Sequence, residues 1–191
     1  GSWAENDIRR MDGLGFVEGY PGSGNGLDRP FGPARSISRA EFTTIAARML
    51  GLNPLAHAYM TVQGLPWSDV ENILEQHYRD WQSIPGWAAP YVAVMTKAGY
   101  VRGMDGDFNA DEPISRIQAG IIVSNILKGT GITKPADLSR FRDATNLPDW
   151  ARSGLVSGVL NGNQGLLMPN ADITRAEATV VLLRLFRDLG F

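Results

Sequence analysis

A chain of 191 residues, 43% hydrophobic and 20% charged, can bury a core as one domain or a compact repeat array, and its composition is that of a folded soluble protein. A formal net charge of −2 gives no electrostatic reason to expect nucleic acid or an anionic membrane as partner, and the absence of cysteine excludes a disulfide framework and thiolate chemistry without fixing the compartment. No run is apolar and long enough to span a bilayer and no signal peptide heads the chain, while Gly1-Ser2 reads as a cloning scar, so a module cut from a longer protein is expected.

The first predicted unit, residues 1–51 with its start truncated, opens on Trp3-Ala4 and runs through an amphipathic stretch to Gly15-Phe16-Val17-Glu18-Gly19. The loop from Tyr20 to Asp28 is a flexible insertion by composition. An apolar anchor, Phe31, precedes Ile37-Ser38-Arg39-Ala40-Glu41, which opens a helix whose buried face is Phe42, Ile45, Ala46, Met49 and Leu50. Residues 52–66 carry Asn-Pro, Gln-Gly and Leu-Pro breakers and read as a long connector with room for one helical turn.

The second unit, residues 67–128, begins with an aromatic-x-Asp element at Trp67-Ser68-Asp69, and Val70, Ile73, Leu74, His77, Trp81 and Ile84 give the spacing of an additional helix. It then repeats the first unit: Trp87-Ala88, Gly99-Tyr100-Val101-Arg102-Gly103, the anchor Phe108, and Ile114-Ser115-Arg116-Ile117-Gln118 opening a helix with Ala119, Ile122, Val123, Ile126 and Leu127 inward. After a connector at 129–140, the third unit, residues 141–191, carries Phe141-Arg142-Asp143, Trp150-Ala151, Gly158-Val159-Leu160-Asn161-Gly162, the anchor Leu167, and Ile173-Thr174-Arg175-Ala176-Glu177 before Ala178, Val181, Leu182, Leu185 and Phe186. From tryptophan to first glycine the distances are 12, 12 and 8 residues, so the third of these helices is about one turn shorter. The paired glycines fit a helix C-cap followed by a tight loop. Nothing alternates like a strand for long, and the chain reads as all-α, three tandem helix-loop-helix repeats forming one compact module.

Ser38 with Glu41, Ser115 with Gln118 and Thr174 with Glu177 are capping boxes, in which the hydroxyl accepts the third helical N–H and the acid or amide reaches back to the cap residue's own N–H. The arginine at the first helical position is not explained by capping, since the macrodipole there is positive. Three arginines beside free amide donors suggest an anion site, against the plainer alternative of arginines laid over a neighbouring aromatic or paired with an acid.

The recurring Trp-Ala, Gly-x-x-x-Gly, Phe31-Gly32-Pro33 and Ile-Thr-Arg-Ala-Glu pattern resembles the S-layer homology (SLH) repeat, in three tandem copies over nearly the whole chain. Copy two departs at Arg116-Ile117-Gln118 and copy three has Leu167 for the phenylalanine. The resemblance implies a pseudo-threefold, three-pronged bundle, the capped helices as prongs and the Trp-Ala helices at the centre. It implies a non-catalytic module at the bacterial cell surface, in the wall or S-layer, that tethers exported proteins by binding a secondary cell-wall polysaccharide, often through a pyruvylated amino sugar. Other S-layer or surface proteins are further partners of that kind. Arg39, Arg116 and Arg175 are then the ligand-binding residues, in grooves between successive repeats, where a guanidinium could hold a ketal carboxylate bidentately. Trp3, Trp87 and Trp150 could stack on a sugar face, although a tryptophan opening an apolar helix favours the core. Gly19, Gly103 and Gly162 could admit backbone close to a glycan, or simply serve the turn. With its neutral Gln118 and bulky Ile117, copy two is expected to be the weakest site, and Arg39→Ala or Arg175→Ala is expected to abolish wall binding with little change in melting temperature.

Competing chemistry is poorly supported. Asp105 to Asp111 resembles the front half of a calcium loop, but Ala110 and Arg116 stand where glycine and a bidentate glutamate belong. His57 and His77 are not spaced with carboxylates as metal ligands, and no nucleophile elbow, phosphate loop or zinc signature occurs. No enzyme, cofactor or metal is therefore expected. The alternative is a protein–protein assembly module of degenerate repeats.

Overall fold

The computed structural model describes residues 3–19, 30–52 and 65–190. The insertion from Tyr20 to Asp28, His57 and most of the first connector lie outside the described residues. Among those residues the chain is helical: α1 (Glu5–Gly13), α2 (Arg39–Met49), α3 (Trp67–His77), α4 (Ala89–Lys97), α5 (Arg116–Gly129), α6 (Asp149–Gly154) and α7 (Arg175–Asp188), with one 3-10 turn at Trp81–Ser83 and isolated bridges in place of strands. The third Trp-Ala helix, α6, has six residues against nine in α1 and α4, as its spacing predicts. The additional helix α3 ends at His77, because Tyr78 turns to extended backbone and buries its ring.

All three predicted capping boxes form. Ser38, Ser115 and Thr174 each accept the N–H of the residue three on, and Glu41, Gln118 and Glu177 accept the N–H of the cap residue. The faces written by the 3.6-residue spacing turn inward: Phe42, Ala46, Ala119, Ile126, Leu182 and Leu185 are all buried in one continuous core. Gly15, Gly99 and Gly158 end the Trp-Ala segments with φ of 72°, 76° and 87°, the left-handed conformation that leaves a side chain strained and a glycine not.

The repeats are tied together through the backbone just before each capped helix. Ile37 N–H donates to Ile173 O (3.2 Å), Ile114 N–H to Ile37 O (3.0 Å) and Ile173 N–H to Ile114 O (3.0 Å), a closed relay. Two residues on, the amides cross to the other neighbouring repeat: Arg39 N–H donates to Glu112 O, Arg116 N–H to Ala171 O and Arg175 N–H to Arg35 O. Side chains pack in the same rotation, α2 on α4, α5 on α6, and α7 back on α1.

The register of the aromatic-x-Asp element needs correction. Asp143 accepts from Leu167 N–H and Met168 N–H, both at 2.7 Å, and the residue doing this in the second repeat is Asp80, on Phe108 N–H (2.7 Å) and Asn109 N–H (2.8 Å). The counterpart of Phe141-Arg142-Asp143 is therefore Tyr78-Arg79-Asp80, whereas Trp67-Ser68-Asp69 merely starts α3, with Trp67 Nε1 donating to Glu71.

Candidate functional site

Free amides at the helix mouths, the basis for expecting an anion directly on the N-termini, are not what the fold provides. In each capped helix the first N–H goes to a carbonyl of another repeat, as does the second: Ala40 N–H to Ala110 O, Ile117 N–H to Pro169 O and Ala176 N–H to Pro33 O. The third goes to the capping hydroxyl. The orphan donors of three helix N-termini are thus consumed by the joints between repeats.

The arginines are buried in those joints, Arg39 5% exposed, Arg116 8% and Arg175 6%. Each reaches the carbonyl immediately before the second glycine of a neighbouring repeat: Arg39 Nη2 donates to Arg102 O, Arg116 Nη2 to Asn161 O (2.9 Å) and Arg175 Nη2 to Glu18 O (2.8 Å). Arg39 lies over the Phe108 ring at 5.2 Å and Arg175 over Phe31 at 4.6 Å, so two of the anchors serve as cation–π platforms. Leu167 cannot, and Arg116 instead donates Nε to the Leu167 carbonyl (3.1 Å) and Nη1 to Glu177 Oε1 (3.0 Å). The plainer alternative, an arginine over an aromatic or paired with an acid, therefore describes much of their environment. Burial lowers the pKa of Arg39 from its ordinary value, with Tyr78 and Asp80 opposing the shift.

The tryptophans reverse the core preference. Trp3 is 72% exposed and Trp87 and Trp150 51% each, because the following alanine takes the inward position: Ala4, Ala88 and Ala151 are fully buried. Gly103 and Gly162 are explained by packing. A Cβ on Gly162 would sit 2.3 Å from a Phe141 ring carbon and 2.4 Å from Leu166 O, and one on Gly103 would sit 2.9 Å from Asp107 O with Tyr78 close behind. Gly19 is half-buried beside Glu18, whose carbonyl receives Arg175.

One cleft, of about 540 Å³, gathers an arginine, a tryptophan and a glycine of the predicted set: Arg39, Trp150 and Gly103, contributed by the first, third and second repeats. Gln118, Asn125 and Asp105 add polar groups and Ile121 and Ile122 an apolar wall. Trp87 precedes α4, packed on α2, and Trp3 precedes α1, packed on α7, the relation that brings Trp150 beside α5. Sequence reasoning missed Tyr78 and Phe141 as the walls behind the second glycines; the shared arginine of Tyr78-Arg79-Asp80 and Phe141-Arg142-Asp143 was the available signal.

Among the described residues no group of three or more His, Cys, Asp or Glu is placed to hold a metal, and no helix is long and apolar enough to cross a membrane. In the Asp105 to Asp111 loop, Asp107 pairs with Arg79 at 2.9 Å. His77 is exposed, its Nδ1 2.7 Å from Ile73 O.

Comparison with known proteins adds independent support. The family model of the S-layer homology domain matches residues 1–43 and 77–119. An S-layer protein of Bacillus licheniformis is 25% identical over 183 residues, covering 93% of this chain and 18% of its own length, and the S-layer protein EA1 of Bacillus anthracis is 26% identical over 185 residues, with the same two shares. Exoglucanase XynX of Acetivibrio thermocellus is 23% identical over 188 residues, 95% of this chain and 15% of that protein. The chain spans less than a fifth of the length of these relatives. Family and relatives together indicate a cell-surface, wall-associated location. Two segments of the chain thus match the S-layer homology domain directly, and the third repeat carries the same capping box and arginine.

Proposed function

We propose that this chain is a non-catalytic anchor that holds a secondary cell-wall polysaccharide, in pyruvylated form, in clefts between successive repeats. Domains of this family bind cell-wall polysaccharide, and the finer assignment rests on the cleft shared by Arg39, Gly103 and Trp150. A ketal carboxylate is a compact anion suited to a guanidinium, and the half-exposed indole of Trp150 offers an apolar face for a sugar ring. The units 1–51, 67–128 and 141–191 act together in this reading as a pseudo-threefold, three-pronged body, and the closed Ile37–Ile114–Ile173 relay supports that arrangement.

The test is co-sedimentation with purified bacterial sacculi before and after chemical removal of wall polysaccharide. Trp150→Ala is the informative variant, because an exposed side chain can be removed with little effect on folding. It is expected to weaken pelleting at least about tenfold at an unchanged melting temperature. Pelleting that survives both the substitution and the removal of polysaccharide would favour the protein–protein assembly reading instead.

A further inference from the structure

The acid of the third capping box also faces the arginine of the preceding repeat, and the amide of the second lines the same cleft as Arg39. In Glu177 the two duties fall on different atoms: Oε2 accepts Thr174 N–H at 2.9 Å and Oε1 accepts Arg116 Nη1 at 3.0 Å. Gln118 performs the same cap through Oε1, on Ser115 N–H at 3.1 Å, but its remaining atom is Nε2, a donor. Nε2 has nothing to offer a guanidinium, and it lies 2.7 Å from Met104 Sδ instead.

The consequence for Arg39 is chemical. Its side chain is 5% exposed and its Nε has no hydrogen-bond partner, while the Arg102 carbonyl satisfies Nη2. Among the described residues no carboxylate forms an ion pair with it. Asp80 acts on Arg39 through its field, yet its two oxygens are taken by the Phe108 and Asn109 amides. Asp105 and Arg102 share the cleft with Arg39, so the three leave one net positive charge. A guanidinium largely removed from water, short of an acceptor and lining an open cleft is stabilised by an incoming anion. Arg116 already holds such a group within the chain.

We propose that this position of the capping box selects which clefts accept an anionic sugar: Gln118 leaves the Arg39 cleft open to a carboxylate, and Glu177 closes the Arg116 site by supplying one internally. The proposal rests on the carbohydrate-binding reading of the clefts, and it reverses the expectation that the neutral glutamine marks a weak site.

Exchanging the two residues tests it, since Glu and Gln both make this cap in the native fold. Titration calorimetry on the full chain would use the methyl glycoside of a 4,6-pyruvylated N-acetylhexosamine as probe, with its unpyruvylated counterpart as control. Gln118→Glu is expected to lower affinity for the pyruvylated probe at least tenfold, and Glu177→Gln to raise the number of sites by one relative to wild type, with thermal melts confirming that both are folded. Wild-type affinity in Gln118→Glu, or unchanged stoichiometry in Glu177→Gln, would overturn the selection rule while leaving the anchoring reading intact. A wild-type chain that binds the probe no better than the control would instead remove the anionic-sugar reading on which the rule depends.

Discussion

Arg116 holds three partners at once, the Leu167 and Asn161 carbonyls and the Glu177 carboxylate, from a side chain only 10% exposed. Truncating it strands all three, and removing one member of a buried pair costs far more than the pair contributes net. Arg116→Ala is therefore expected to destabilise the chain by about 3 kcal/mol, a fall of roughly 10 °C in Tm at this chain length, measurable by thermal or urea denaturation. The sequence-based expectation for Arg39→Ala and Arg175→Ala, lost binding with stability kept, therefore does not extend to Arg116. The capping boxes were legible because Ser/Thr-x-x-Glu/Gln is a local code confined to four residues. The duty of the arginines was not, because the carbonyls that Arg39, Arg116 and Arg175 reach, those of Arg102, Asn161 and Glu18, lie 63, 45 and 157 residues away in the chain. The tryptophans were misread for a related reason: apolar content alone does not say whether Trp150 or the smaller Ala151 takes the inward position.

Between residue and repeat, the recurring unit is a clasp in which a carboxylate and an aromatic ring hold the loop that carries the anchor. Asp143 grips the Leu167 and Met168 amides and Phe141 packs on Gly162; Asp80 grips Phe108 and Asn109 and Tyr78 packs on Gly103. The Leu167 N–H bond holds the Asp143 carboxyl below the usual carboxylate range, with the Met168 N–H adding to it against desolvation. The clasp is tighter in the third repeat. A methyl group on Gly162 would meet both a ring carbon and a backbone carbonyl inside 2.5 Å, whereas on Gly103 the closest atom stands at 2.9 Å. Gly162→Ala is expected to cost about 3 kcal/mol and Gly103→Ala about 1 kcal/mol, the upper and lower ends of the usual overpacking penalty. Urea midpoints of the two variants would rank them. Helix spacing was legible throughout α2, α5 and α7, but the aromatic-x-Asp register was not secured by pattern alone. Trp67-Ser68-Asp69 and Tyr78-Arg79-Asp80 both fit it, and only the amides gripped by Asp80 distinguish them.

At the scale of the molecule the connectivity of the joints matters more than their number. Repeat proteins commonly stack in one dimension, each unit touching only its neighbours in sequence, so that end units can fray independently. Here α7 packs on α1, and the Ile37–Ile114–Ile173 relay gives every repeat a hydrogen bond to both others. The sequence displays three copies but not their closure, since a tandem pattern reads the same whether the last copy meets the first or faces solvent. A closed array has no end at which unfolding can begin cheaply, so helix content by circular dichroism and tryptophan emission are expected to fall in one coincident urea transition. Opening the ring should divide them. Deleting residues 1–13 removes Ala4, Ile8 and the fully buried Met11, and uncovers Ala176 and Val180 on α7. At about 1.5–3 kcal/mol for each large apolar side chain taken out of water, the loss is on the order of 5 kcal/mol, concentrated in the third repeat. The truncated chain is therefore expected to show an early emission change, reported by Trp150, well before the main loss of helix from α2, α4 and α5; a transition that stays single would mean that the first and last repeats are held together by the backbone relay alone.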